Sequence, residues 1–223
     1  MDSECLALLS LPIRGILESG MTNEADEQLA ADWTHLPNGT ETVNLWDCLH
    51  DGSLVHIASD LMERTVLLRF DVDYVRDFNK LPKGLTFEFL LLGVQSVRSL
   101  RCSRWPGPCE VHAGMPKEEQ SRRVAEYQAK WREESDDWNT FETAANNADS
   151  PEVLDATLVQ GGRGTTLRLG LLMADDSYRN VFLRADSLGI RTSDGRQFTV
   201  AEYLALGEAY WKAFAERKRA NRE

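Results

Sequence analysis

Positive charge is nearly absent from the first sixty residues of this 223-residue chain, where eleven acids face a single base, Arg14. That imbalance accounts for almost all of the net charge of −11. A chain with so acidic an overall balance lacks the footprint of a general nucleic-acid binder. Long apolar runs are missing as well, since no stretch approaches the roughly 20 residues that a membrane-spanning helix needs. Residues 5–13 (Cys-Leu-Ala-Leu-Leu-Ser-Leu-Pro-Ile) imitate a signal-peptide core. Asp2 and Glu4 stand where a basic flank belongs, however, and no clean cleavage site follows. Neither export nor a membrane partner is expected. Met21, just after Gly20, marks residues 1–20 as a candidate upstream extension of the gene.

Cysteine is scarce and scattered. Cys5, Cys48, Cys102 and Cys109 include no Cys-x-x-Cys pair, which removes the usual zinc spacings. Cys102 and Cys109 bracket Ser-Arg-Trp-Pro-Gly-Pro, but without an export signal no disulfide is expected, and the reducing cytoplasm is the expected compartment. For the same reason the sequon Asn38-Gly39-Thr40 carries no weight. The four histidines form no helical pair, and no Ser or Cys sits in a nucleophile-elbow context. No catalytic residue, metal or cofactor is therefore expected.

What the chain does hold is a series of short segments alternating apolar and polar residues. Strands are expected at Leu54–Ala58, Thr65–Phe70, Thr86–Leu92 and Val94–Arg101, with a helical turn within Asp71–Lys80. A second series runs over Asp155–Gln160, Thr165–Met173, Asn180–Arg184 and Ser187–Thr192, and Ser193-Asp194-Gly195 makes a hairpin turn. Between them lies a helical insert that begins at Pro116. Its Val124, Tyr127, Trp131, Trp138 and Phe141 form one apolar stripe, and Ser135-Asp136-Asp137 offers a start for a second helix. Thr199-x-x-Glu202 is a capping box, with Phe198 placed to staple on Tyr203. It opens an amphipathic helix through Tyr210, Trp211 and Phe214 with a basic end. A short helix is also expected at Glu24–Ala31. The fold expected is α+β with antiparallel sheets. Its parts are an acidic, partly flexible segment (1–45), a first β block (46–112), the helical insert (113–150) and a second β block closed by the C-terminal helix (151–223).

The two β blocks open alike. Asp51-Gly52-Ser53-Leu54 aligns with Asp155-Ala156-Thr157-Leu158, Thr65-Val66-Leu67 falls near Thr165-Thr166-Leu167, and Ser96-Val97 matches Ser187-Leu188. A duplicated unit is one reading. The other is that acidic turns and period-two strands look alike in any β-rich chain.

His50-Asp51 invites a metal-dependent hydrolase, but the chain offers only His35, His56 and His112 as further ligands, and the second block has Leu154 in place of His50. A turn in which Asp51 accepts backbone N–H groups and His50 packs is the simpler expectation. Gly161-Gly162-Arg163-Gly164 lacks the Lys-Ser/Thr of a phosphate loop, and the pairs Asp136-Asp137 and Asp175-Asp176 suit helix starts or solvated turns.

Leu49-His50-Asp51-Gly52-Ser53-Leu54, Thr65–Phe70 and Leu92-Gly93-Val94-Gln95-Ser96-Val97 resemble bacterial immunity proteins of polymorphic toxin systems. The likeness is greatest to the immunity protein 50 type, with its Leu-His-Asp-small opening and Phe/Leu-x-Gly-Val step. It covers residues 46–101. It implies a non-enzymatic cytoplasmic module that binds and neutralises a toxin, and the acidic surface suits a basic partner. Partner contacts are expected at Asp47, His50, Asp51 and Asp60. The alternatives are a hydrolase centred on His50 and Asp51, or a structural or regulatory subunit of an oligomer built on the aromatic helices.

Overall fold

Period-two alternation decides where the strands form and which way they face. In the computed structural model, Val66, Leu68 and Phe70 of β3 (Thr65–Asp71) are buried, as are Leu167, Leu169 and Leu171 of β8 (Gly164–Leu172), while the residues between them, apart from the buried Gly170, are half-exposed. The structure describes residues 41–102, 111, 114–130, 133–147, 150–161 and 164–220. The expected helix at 24–31, the candidate extension 1–20, Cys5, Cys109 and Trp131 lie outside them.

The chain divides into two compact units. In one, the described part is chiefly α3 (Lys117–Lys130), where Gln120 N–H donates to Pro116 O and Glu119 pairs with Arg122 and Arg123. The other unit, Gly39–Ser103 with Glu133–Glu223, holds every described strand. Its elements begin with β1 (Glu41–Asn44), α1 (Trp46–Leu49), β2 (Ser53–Asp60), β3, α2 (Asp73–Phe78), β4 (Phe87–Leu92) and β5 (Ser96–Cys102). They continue as β6 (Glu133–Asp136), α4 (Trp138–Asn147), β7 (Glu152–Gly161), β8, β9 (Tyr178–Ala185), β10 (Ser187–Thr192), β11 (Gln197–Phe198) and α5 (Val200–Ala220). The architecture is α+β with one antiparallel sheet. The apolar stripe expected to run along one helix is cut by β6, so Val124 and Tyr127 lie on α3 while Trp138 and Phe141 lie on α4 and enter the sheet's core. Asp137 begins α4, its Oδ2 accepting the Thr140 N–H at 2.9 Å.

Strand order is β11-β10-β4-β3-β2-β7-β8-β9-β5-β6, with β1 also on β7. Two meanders, β2-β3-β4 and β7-β8-β9, meet at a single bridge between Ser53 and Glu152. Each then sends its fourth strand to the other: β5 pairs with β9, and β10 pairs with β4. The two crossings touch. Gly93, at φ +67°, turns the chain between β4 and β5, and a Cβ there would strike Asp186, which links β9 to β10. Asp186 N–H donates to Leu92 O, and Gln95 Nε2 donates to Asp186 Oδ1 at 2.6 Å. Apolar residues of both meanders fill one core.

The ladders match position by position. A bulge interrupts β2–β3 between Leu54 and His56, and another interrupts β7–β8 between Val153 and Asp155. Counting outward from them, Ser53 corresponds to Glu152, Phe87 to Arg179, Ser96 to Ser187 and Phe198 to Asp136. The match of Ser96-Val97 with Ser187-Leu188 coincides with this register. Thr65 corresponds to Thr166, one residue from the sequence alignment, and Leu54 corresponds to Val153, several residues from Leu158.

β2 touches β7 only at Ser53, which leaves the rest of that edge without a strand partner. Side chains of α4 take the place of one. Asn146 Oδ1 accepts the Ile57 N–H at 3.0 Å, its Nδ2 donates to Ile57 O at 2.7 Å, and Glu142 accepts the Ser59 N–H at 2.9 Å. Asn146→Ala removes both bonds to Ile57 and should destabilise the protein by about 1–2 kcal/mol. The check is a lower urea midpoint at unchanged slope.

Candidate functional site

Three of the four residues expected at a partner site come together, and one does not. Asp47 lies in α1, His50 ends it, and Asp51 follows at φ +58°. Asp60 lies at the far end of β2, about 23 Å along an extended strand from Ser53. There its Oδ1 accepts the Glu63 N–H in the β2–β3 turn, a local structural task.

The short helix α1 starts where Asn44 Oδ1 accepts the Trp46 N–H at 2.8 Å. It stops because Gly52 N–H closes back on Leu49 O and Asp51 N–H turns to Val153 O. Among the described residues no backbone N–H donates to the Asp51 carboxylate, contrary to expectation. The carboxylate meets His50 Nε2 at 3.1 Å instead. The His50 ring packs, stacked on Trp46 at 4.1 Å between centroids. His50 Nδ1 is sealed from solvent without a partner among the described residues. The contact with Asp51 assigns the N–H of the neutral tautomer to Nε2. Among the described residues no three His, Cys, Asp or Glu side chains converge as a metal site.

α5 lies directly over α1. Gly207 makes this possible, since a Cβ there would come within 2.4 Å of Asp47 O and 2.6 Å of Cys48 Sγ. At that contact Tyr203 Oη donates to Cys48 O at 3.1 Å, and Cys48 Sγ donates to Tyr203 O at 3.3 Å. The Asp47 carbonyl accepts from both Trp211 Nε1 (2.9 Å) and Tyr74 Oη (3.1 Å). Burial, and then the charge of Glu208, raise the Asp47 carboxyl above its usual range.

An aromatic ladder results, and the sequence does not announce it. His50 stacks on Trp46 and Trp46 on Trp211; Tyr74 and Phe78 of α2 meet Tyr210; Phe214 closes the row. Phe78 and Phe214 remain 37% and 42% exposed. Tyr210, Trp211 and Phe214 give a wider apolar surface than one core-facing stripe requires, which was the available signal. Trp46 has no such local signal. Asp47, Asp73, Asp77 and Glu208 lie in the elements that carry the ladder and Asp51 just follows α1, while Arg76 of α2, which pairs with Asp77 at 3.3 Å, and Lys212 of α5 offset part of that charge; Arg217, Lys218 and Arg219 occupy the last turns of α5.

The chain matches no family model, no curated protein and no solved structure. Among the described residues, no helix is long and apolar enough to cross a membrane.

Cys48 is no nucleophile in this setting. Burial raises its thiol from an ordinary 9.0 to about 12, with Asp47 and Glu208 adding to the shift and the hydrogen bond at Gly207 opposing it. The unfolded chain ionises this thiol at a lower pH than the folded one, so its contribution to stability is complete below about pH 9 and is lost as pH rises towards 12. The expected slope is about 1.4 kcal/mol per pH unit above 9, and Tyr203, raised by burial, steepens it at higher pH. Urea unfolding between pH 8 and 10.5 checks this, with Cys48→Ala flattening the first part of the decline.

Proposed function

We propose that the protein is a non-enzymatic binding module that takes a basic protein partner on the face formed by α1, α2 and the middle of α5. In this reading it acts in the cytoplasm as an immunity-like protein that neutralises a toxin. The observation that carries the reading is the half-exposed aromatic ladder, with Asp47, Asp73 and Glu208 on its elements and Asp51 beside α1. Large rings supply buried area at an interface, and their faces attract Arg and Lys of a partner. Neighbouring carboxylates speed encounter with a basic surface.

The test is to look for a toxin gene beside this one and to pair the protein with the toxic domain it encodes; absence of such a gene counts against a toxin partner. Co-expression should restore growth, and the purified pair should bind with an affinity that falls as salt rises. Phe78→Ala and Phe214→Ala should each weaken binding by about 1–3 kcal/mol. Asp51→Asn keeps a residue suited to the left-handed turn, and with Glu208→Lys it should slow association. Unchanged affinity in all four variants would remove this face from the proposal. A stable dimer by light scattering that Phe214→Ala dissolves would replace the toxin partner with a second copy.

We also propose that the two meanders and their exchanged strands descend from one duplicated unit. The support is the shared register, including the paired bulges and a side-chain cap at the start of both α4 and α5. Aligning relatives at the offset set by the ladders tests it, with similarity between halves expected to exceed that of unrelated strand pairs.

A further inference from the structure

The two halves of the sheet differ sharply at one corresponding place. In the first, Phe87 lies 6.5 Å from Phe198 and 5.2 Å from Tyr203 between ring centroids, an all-aromatic filling under α5. The ladders put Arg179 and Asp136 at the positions of Phe87 and Phe198 in the second half. There Arg179 Nε pairs with Asp136 Oδ2 at 2.8 Å, and the two side chains are 6% and 14% exposed. Taking an ion pair out of water carries a desolvation cost that two rings do not incur, so packing alone does not explain the exchange.

A second difference opens the same place to solvent. The β3–β4 connection carries α2, and just beyond it Asn79 Nδ2 donates to Leu206 O of α5 at 3.2 Å. The β8–β9 connection is only a tight turn, in which Met173 N–H donates to Ser177 O and Asp176 takes φ +60°. Among the described residues nothing corresponding to α2 covers the C-terminal end of α4. The gap is a pocket of about 270 Å³ lined by Ala144, Asn147, Met173, Ala174, Asp175 and Arg179.

The groups lining it are unequally occupied. Asp175 is engaged on both oxygens: Oδ1 accepts from the Ser177 N–H and hydroxyl, and Oδ2 accepts from Arg101. Arg179 donates from Nε to Asp136 and from Nη1 to Ser177 Oγ at 2.6 Å. Its Nη2 has no partner among the described residues, yet it is not sealed like the buried orphan atoms elsewhere, and this pocket is the opening that Arg179 lines. The polar side of the pocket thus consists of Arg179, Asn147 and the Asp175 carboxylate, whose charge Arg101 offsets at 3.1 Å, with Ala144, Met173 and Ala174 as apolar wall. With Nε and Nη1 engaged, Nη2 is the nitrogen that can make a charge-assisted hydrogen bond to a carboxylate. The volume admits a ligand of up to about ten heavy atoms. We propose that this pocket binds a small carboxylate on a short apolar stem, anchored by Arg179.

The probe is 2-methylpropanoate, titrated into the full ¹⁵N-labelled chain at fixed ionic strength, with 2-methylpropanamide as the uncharged control. Saturable amide shifts are expected at residues 173–177 and 144–147 with the acid, and binding at least about tenfold weaker with the amide. Two variants separate binding from folding. Ala144→Leu, which supplies the side chain found at the corresponding Leu206, fills the pocket and leaves the ion pair intact. Arg179→Met with Asp136→Leu replaces the pair by an apolar one, so that neither charge is stranded. Both should weaken the acid at least about tenfold. No saturable shift with the acid, equal binding of the amide, or undiminished binding in either variant overturns the proposal.

Discussion

Neither half of this sheet can satisfy its own hydrogen bonds, and the rest of the structure is arranged around that fact. β4 finds its second neighbour in β10 and β9 finds its own in β5, over six and seven residue pairs respectively. The exchange requires the chain to change halves twice, and both changes occur at one corner built from Gly93, Gln95 and Asp186. Because the crossings are locked together, the apolar faces of the two meanders share a core rather than forming two. The single bridge at Ser53 and Glu152 is then enough to join the opposite side, provided that α4 covers what the bridge leaves bare.

The helices close the two halves differently, and both surface features follow from that. α5 runs well past its sheet, and Gly207 lets it press on α1, so the residues beyond, Tyr210, Trp211 and Phe214, project over α1 and α2 instead of into the core. α4 is about half as long and meets only a tight turn where α5 meets a helix, which leaves the cavity beside Arg179. On the outer face of the first half, burial alone would raise the Glu88 carboxyl. Hydrogen bonds from Arg69 and Arg191 on the flanking strands outweigh that effect and hold it below its usual range. The second half has Asn180 at that position and Gly170 beside it, so buried polarity is distributed unevenly between halves with the same register.

Much of this was legible in the sequence wherever a local pattern carried the information. Alternation located the long strands, Ser193-Asp194-Gly195 located the last hairpin, and Thr199 with Glu202 located the start of α5, where Glu202 accepts the Thr199 N–H at 2.8 Å. The staple expected between Phe198 and Tyr203 is mediated instead by Phe87, which contacts both rings. β6 was not legible, because Glu-Glu-Ser-Asp has no apolar face and becomes a strand only by pairing with β5. The same limit applies to the sites. Asp47, His50 and Asp51 lie together because they are neighbours in sequence, whereas the stacking of Trp46 on Trp211 and the pairing of Arg179 with Asp136 depend on long-range contacts that no spacing encodes.

The exchanged strands also bear on synthesis. When β2 to β5 have emerged from the ribosome, β4 has one bare edge and β5 has no strand to join, since β9 and β10 are made much later. Until then the nascent chain exposes an apolar strand, Phe-Glu-Phe-Leu-Leu-Leu, with its backbone donors and acceptors open to any passing strand. The interval in which this protein is vulnerable to aggregation is therefore set by translation speed over its second half, and shielding of β4 during that interval falls to whatever holds nascent chains apart.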